Sequence, residues 1–152
     1  MDQKPKGIDP RGPRFGAAIT SVWLVITVFL GLDTATQDIA AVLLSAITIL
    51  FAIGAFLGNS RHPYGWVFRK FVKPRLSEPT ELEDPRPPQF AQGVGLFVSV
   101  VGLVLYIFDV PFGISIAASA AFVAAFLNAA FAYCLGCQLY LGLKRVGIIR
   151  NS

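Results

Sequence analysis

The chain has 152 residues, the length of one domain, but 55% of them are apolar and only 14% are charged, with a mean hydropathy of +0.63. This composition excludes an ordinary soluble domain and indicates an integral membrane protein. A formal net charge of +4 would suggest nucleic acid in a soluble chain, but in a membrane protein the distribution of charge matters more, and we expect no nucleic-acid partner.

Four stretches carry no Asp, Glu, Lys, Arg or His and approach the length needed to cross a bilayer core about 30 Å thick. They are residues 15–32, 39–59, 90–108 and 110–143. We therefore predict an all-α integral membrane fold with four transmembrane helices. The first run follows a turn-rich segment and lacks a small-residue cleavage site, so a cleaved signal peptide is not expected.

In chain order, residues 1–14 form an amino-terminal segment and residues 15–58 a first transmembrane hairpin. Residues 59–89 form a loop with an interfacial helix and a Pro/Glu-rich part. Residues 90–143 form a second transmembrane hairpin that ends in the Cys-Leu-Gly-Cys motif, and residues 144–152 form a tail. In the loop, aromatic residues alternate with cations after Pro63, a pattern typical of a short helix in the lipid headgroup layer.

The basic residues all lie in segments on one side of the predicted membrane. All 13 lie before the first helix, between the second and third, or after the fourth, whereas the short loops at 33–38 and 109–111 carry only acidic charge. By the positive-inside rule, both termini and the central loop are cytoplasmic. We therefore expect a multi-pass protein of the cell (inner) membrane.

A short box repeats within the chain. Residues 9–15 read DPRGPRF, and residues 84–90 read DPRPPQF, at an offset of 75. Each box introduces an outgoing helix followed by a returning one. The pattern predicts two helical hairpins related by a parallel repeat, with the symmetry axis along the membrane normal.

The two cysteines, Cys134 and Cys137, are the only ones in the chain and are the candidate catalytic residues. On a helix their spacing places both sulfurs on one face, close enough for a disulfide, a shared metal or sulfur hand-off. The rise of the last helix puts them at or just beyond the cytoplasmic interface. The offset of 75 aligns His62 with Cys137, so pseudo-twofold packing would bring His62 towards the thiols. The supporting residues expected at this face are Asp9, Arg11, His62, Tyr64, Asp84 and Arg86.

Several functions fit such a pair. Near the cationic Lys144 and Arg145 the pKa of a thiol would be lowered, which favours attack on a partner's disulfide or persulfide, although the sequence does not assign the attacking sulfur. In a reducing cytoplasm the resting form should be the dithiol. A zinc site of two thiolates and His62 would be one ligand short of a tetrahedron, and two small cysteines that only pack are the third interpretation. Transport is disfavoured because the predicted helices carry no charge.

The repeated boxes, the segment EDPRPPQFAQ at 83–92 and the closing NAAFAYCLGC at 128–137 resemble an uncharacterised bacterial family of small membrane proteins, domain-of-unknown-function family 4395. The resemblance extends over residues 8–143, and it implies thiol or sulfur handling beside thioredoxin-like proteins or rhodanese-type sulfurtransferases. Cys134 and Cys137 are the residues that carry this implication. Gln89 stands where a basic residue is more usual in the family.

The favoured function is therefore a membrane-bound dithiol protein that takes part in thiol–disulfide exchange or sulfur transfer at the cytoplasmic face. The alternative is a non-catalytic membrane anchor or assembly subunit whose cysteines bind metal or only pack. Enzymatic activity and homo-oligomer formation stay open. The expected partners are a thioredoxin-like or rhodanese-type protein and the lipid bilayer; no cofactor is predicted, and zinc is the metal that the pair would take.

Overall fold

The computed structural model describes residues 11–58, 62–77 and 86–147, which are helical apart from the connections. The helices are α1 (Arg11–Gly31), α2 (Gln37–Leu57), α3 (Pro63–Val67), α4 (Arg86–Ile107), α5 (Gly113–Phe131) and α6 (Leu135–Arg145). α3 continues into a π-helical turn at Phe68–Val72 and a 3-10 turn at Lys73–Arg75. No β-strand occurs in the described ranges.

Four of these helices, α1, α2, α4 and α5, are long and apolar enough to cross a membrane, with hydropathies from 1.7 to 2.6. Among their hydroxyls, Ser99 Oγ of α4 is buried without a hydrogen-bond partner in the described ranges, and Ser115 Oγ of α5 donates to Val28 O of α1 at 2.8 Å. Others bond within their own helix: Thr27 donates to Trp23 O at 2.8 Å, and Ser21 donates to Ala17 O at 2.7 Å. Such internal bonds are what an apolar surrounding requires of a polar side chain. The predicted all-α fold with four candidate membrane-spanning helices is confirmed.

The spans pack across the two hairpins. α1 lies mainly against α5, and α2 lies mainly against α4. Small residues permit this close approach: a Cβ added at Gly31 of α1 would lie 2.5 Å from Ser115 Oγ of α5, and one added at Gly95 of α4 would lie 2.6 Å from Phe51 Cε1 of α2. The shared core contains Leu24, Leu44 and Ile47 together with five further buried residues: Ala40, Ala41, Ile114, Ala118 and Ala121. Packing of this kind holds membrane helices together without a hydrophobic driving force between them.

The two ends of the bundle differ in charge. One end, which we call the acidic end, holds Asp33, Asp38 and Asp109, and there the Tyr106 hydroxyl donates to the Asp38 carboxylate and links α4 to α2. The other end, called the basic end, holds the first residues of α1 and α4 and the last residues of α2 and α5. α3 and α6 also lie at the basic end, where α3 packs on α1 and α6 packs on α4.

The apolar run at 110–143 is not one helix, in contrast to the sequence-based prediction. α5 ends at Phe131, and Ala132 adopts a left-handed conformation with φ 56°. The amides of Ala132 and Tyr133 donate back to Asn128 O and Leu127 O, both at 3.1 Å, which closes the end of α5. α6 begins at Leu135 as a separate helix, so the cysteine pair lies outside the candidate spanning helix α5.

The phenylalanine of each repeated box contacts the surface helix of its own hairpin. Phe15 lies against Phe68 with ring centroids 5.8 Å apart, and Phe90 lies against Tyr140 at 5.6 Å. The phenylalanines of the two boxes therefore make equivalent packing contacts at the basic end. The duplication of the hairpins itself stays a prediction.

Candidate functional site at the cysteine pair

Cys134 and Cys137 form a disulfide at the amino terminus of α6, with their Cα atoms 5.1 Å apart. Cys134 is the N-cap residue, with an extended backbone, and its Sγ accepts a hydrogen bond from the amide of Cys137 at 3.0 Å. The two sulfurs are close enough for a disulfide, as the spacing indicated, but the two residues are not both within a helix: Cys134 precedes α6 and Cys137 lies in its first turn. Both residues are half-buried.

The structure thus contains the oxidised pair, whereas the sequence led us to expect the dithiol as the resting form. The two forms differ by two electrons and two protons and interconvert by thiol–disulfide exchange. In the disulfide, Cys134 Sγ accepts the amide hydrogen of Cys137 and lies at the amino terminus of α6, the positive end of the helix dipole.

The cations that the sequence analysis placed near the thiols lie at the opposite end of α6. Lys144 and Arg145 are in its last turn. At 1.5 Å per residue, Lys144 is about 10 Å along the helix from Cys137, and about 15 Å from Cys134. Since charges at such separations are largely screened by solvent, these two cations act only weakly on Cys134.

Gly136, between the cysteines, is the residue through which α6 contacts α4. A Cβ added at this glycine would lie 2.5 Å from Ala91 Cβ and 2.6 Å from Ala91 Cα. One turn later, Tyr140 is 7% exposed and packs on Phe90. The glycine of the motif therefore sets the position of the disulfide on the bundle, a role that the sequence analysis did not assign.

A second contact holds the chain just before the pair. Arg14 donates from Nη2 to Ala129 O at 3.0 Å and from Nε to Asn128 O at 3.3 Å, in the last turn of α5. Gln89, at the same position of the second box, donates to Ala55 O at 2.8 Å, near the end of α2. Each box thus satisfies carbonyls at the end of the other hairpin's returning helix. The side-chain amide of Gln89 donates the hydrogen bond to the helix-end carbonyl, so the second box makes this contact without a basic residue.

His62 is buried and has both ring nitrogens occupied by main-chain groups. Its Nε2 bonds Leu50 O at 3.0 Å, and its Nδ1 accepts from the amide of Tyr64 at 3.1 Å, so it caps α3. Burial lowers the pKa of His62 below its ordinary value of 6.5, an effect that the Leu50 bond opposes. The ring of Tyr64 lies against Gly16, and burial raises the pKa of its hydroxyl. These contacts seat α3 on the bundle. A role of His62 and Tyr64 beside the thiols stays a prediction.

The remaining expected site residues are placed as follows. Arg11 donates from Nη2 to Ser77 O at 2.8 Å, and Arg86 is the exposed first residue of α4. Asp9 and Asp84 lie outside the described residues. Within the described ranges, no group of three or more His, Cys, Asp or Glu side chains could hold a metal ion. A zinc ion at the cysteine pair stays a prediction.

Comparison with known proteins identifies a family. The family described as Domain of unknown function (DUF4395) matches residues 8–145 of this chain, which includes both boxes and the cysteine pair. No curated protein matches the sequence. No solved structure matches the fold.

Proposed function

The chain belongs to the DUF4395 family, whose description leaves its function unknown, and we propose that it is a membrane-bound protein of thiol–disulfide exchange that works through Cys134 and Cys137. The observation that carries the proposal is the position of the pair. A disulfide that closes at the first turn of a helix, with one sulfur accepting an amide hydrogen, is suited to alternate between disulfide and dithiol.

Cys134 is the attacking sulfur in this proposal, and Cys137 is the resolving one. The Cys134 thiolate attacks a partner's disulfide, forms a mixed disulfide, and releases one partner sulfur as a thiolate. The Cys137 thiolate then attacks Cys134 Sγ, closes the intramolecular disulfide, and releases the second partner sulfur. Two electrons pass to the partner, and the two protons of the original thiols end on the partner sulfurs or in water.

The same pair is suited to sulfur transfer, which is the second form of the proposal. Cys134 would accept a sulfane sulfur from a partner persulfide, and attack by Cys137 would release hydrosulfide and close the same disulfide. Both forms end in the Cys134–Cys137 disulfide, and exchange is the favoured form because it reaches this bond from the two thiols and a partner disulfide, without a persulfide intermediate. The partner proposed is a soluble thioredoxin-like protein for exchange, or a rhodanese-type protein for sulfur transfer.

We place the pair at the cytoplasmic face of the cell membrane. The support is the asymmetry of charge: the cations of the described residues, among them Arg14, Lys70 and Lys144, belong to segments at the basic end, together with the cysteines. Positive segments are retained on the cytoplasmic side of a membrane protein. There the protein meets soluble thiol partners.

The experiment uses the full chain in detergent, reduced and then exposed to glutathione disulfide, with products identified by mass. The Cys137→Ser variant should retain one glutathione on Cys134, because the resolving thiol is absent. The Cys134→Ser variant should form its adduct at least about ten times more slowly. Its remaining thiol belongs to Cys137, which is not the N-cap residue, so its thiolate lacks the backbone amide hydrogen bond that Cys134 Sγ accepts. The unaltered chain should release glutathione and close its own disulfide.

The alternative, a non-catalytic anchor or assembly subunit, predicts a different result. Cysteines that only pack would form no adduct in either variant under folded conditions. Equal rates for the two single-cysteine variants would remove the assignment of Cys134 as the attacking sulfur but retain exchange. A thioredoxin-like disulfide protein and a rhodanese-type persulfide protein, supplied separately, distinguish the two forms of the proposal.

A further inference from the structure

The helical segment Pro63–Arg75, which we call the collar segment, has one face that seats on the bundle. Phe68 is 4% exposed and lies 3.5 Å from the position of a Cβ at Gly12, in van der Waals contact. Tyr64 approaches Gly16 in the same way, at 3.5 Å. These contacts fix the collar segment beside the first turns of α1 and leave its opposite face outward.

The outward face combines aromatic rings with a cation. Trp66 is 51% exposed and Phe71 is 54% exposed, with their ring centroids 6.0 Å apart. Lys70 Nζ lies over both rings, 4.8 Å from the Trp66 centroid and 5.7 Å from the Phe71 centroid. Aromatic rings of this kind favour the boundary between hydrocarbon and headgroups, and the ammonium group above them is held at headgroup level.

The charge of the collar segment has one sign. Arg69, Lys70, Lys73 and Arg75 fall within seven residues, and the sequence has no Asp or Glu anywhere from 59 to 77. The candidate membrane span α2 ends at Leu57, and the collar segment begins six residues later, at Pro63. The aromatic pair and Lys70 therefore share one surface, within a run of cations and close in sequence to a candidate span.

We propose that the outward face of the collar segment binds anionic phospholipid headgroups in preference to zwitterionic ones. The occupant is a lipid because the aromatic pair requires an apolar surrounding below the cations, and because the face continues from a membrane span. The phosphate-bearing anionic headgroup supplies the complementary charge to Lys70, Lys73 and Arg75. This binding is independent of the chemistry of the cysteine pair.

The chain offers its own reporter, because it contains only two tryptophans, Trp23 and Trp66. In the Trp23→Phe variant, reconstituted as the full chain into phosphatidylcholine vesicles with 20–40% phosphatidylglycerol (roughly the anionic range that attracts basic segments), all tryptophan fluorescence comes from the collar segment. Bromine is placed on the acyl chains of one lipid class at a time, at constant total composition. Quenching then reports which class lies beside Trp66.

The quenching should show that phosphatidylglycerol is enriched beside Trp66, relative to phosphatidylcholine, at least about fivefold over its proportion in the vesicle. This factor corresponds to about 1 kcal/mol, the contribution of one cation near an anionic surface. The preference should fall as salt is raised, since screening weakens exposed charges. Substitution of Lys70, Lys73 and Arg75 by Gln should reduce the ratio to about one. Quenching itself should persist in that variant, because the aromatic pair remains.

Two matched controls isolate the collar segment. The Lys144→Gln/Arg145→Gln variant removes two charges from the same end of the protein and should leave the ratio unchanged. The Trp66→Phe variant reports from Trp23 on α1, where neither lipid class should be preferred. Equal quenching of Trp66 by both classes at low salt, or a ratio that survives the triple substitution, would overturn the proposal. Absence of quenching by either class would do so as well, and would leave a protein as the occupant.

Discussion

Replacement of Gly136 by Ala should release α6, and with it the disulfide, from the bundle. The added methyl group would lie 2.5–2.6 Å from the Cβ and Cα of Ala91, and the Cα belongs to the backbone of α4, which cannot move aside as a flexible side chain would. Overpacking of this kind costs about 1–3 kcal/mol. Since every 1.4 kcal/mol changes an equilibrium tenfold, the population of undocked α6 should rise about 5-fold to about 150-fold.

Hydrogen exchange of the α6 amides, measured by mass spectrometry on the oxidised full chain in detergent, reports this population directly. Gly142→Ala is the matched control: it makes the same change in the same helix, where a Cβ would meet nothing within 4 Å. Because a glycine in a helix interior costs about 1 kcal/mol relative to alanine, the Gly142→Ala variant should exchange about fivefold more slowly. Equal exchange in the Gly136→Ala variant and the unaltered chain would refute the assigned role of Gly136.

Three further predictions follow from the basic end. Arg14→Ala removes charge-assisted bonds to two carbonyls and should lower the free energy of unfolding, measured by titration with a denaturing detergent, by about 1.5–3 kcal/mol; Gln89→Ala, which removes one neutral bond, should cost about 0.5–1.5 kcal/mol. Ala132→Gly should raise the melting temperature followed by circular dichroism, since a non-glycine residue in the left-handed region costs about 1–2 kcal/mol; a lowered value would contradict the assigned strain. The pKa of His62 is lowered in the folded state, so the unfolded chain binds the proton more readily. The contribution of His62 to stability is therefore complete above pH 6.5 and is lost as the pH falls below that value. As this is the only histidine, His62→Asn should flatten stability between pH 5 and 7 (about the histidine range), and an unchanged slope would contradict the account.

Hydropathy was sufficient to predict the four spans, because an uncharged run of about 20 residues has few alternatives to a membrane helix. It was not sufficient at residues 110–143, where charge is absent throughout and the helix break falls on an alanine. Termination at Ala132 depends on its left-handed backbone, and neither Gly nor Pro marks that residue in the sequence. The position of the cysteines at a helix start, rather than within a helix, was therefore not predictable from periodicity.

The cysteine pair was singled out from the sequence, but the contacts that hold it on the bundle were not. Cys134 and Cys137 were identified as the only cysteines in the chain, by their spacing and by the family resemblance, and their reactivity stays a prediction. Arg14, Gln89 and Gly136 were not assigned, because their contacts join residues 34 to 115 positions apart or depend on a close backbone approach. The one signal for them was the repeated box, which marked position 14 and position 89 as equivalent without indicating what they bind.

The central claim is that Cys134 is an activated sulfur, and the rate of alkylation of the reduced chain at pH 6 tests it most directly (a free thiol, with a pKa of about 8.5, holds less than about 1% thiolate there). The fully reduced protein in detergent is treated with iodoacetamide, and each cysteine is followed by mass. The account predicts that Cys134 reacts at least about ten times faster than glutathione and faster than Cys137, because the amide of Cys137 and the α6 terminus stabilise its thiolate. A Cys134 that reacts no faster than glutathione, or more slowly than Cys137, would contradict it.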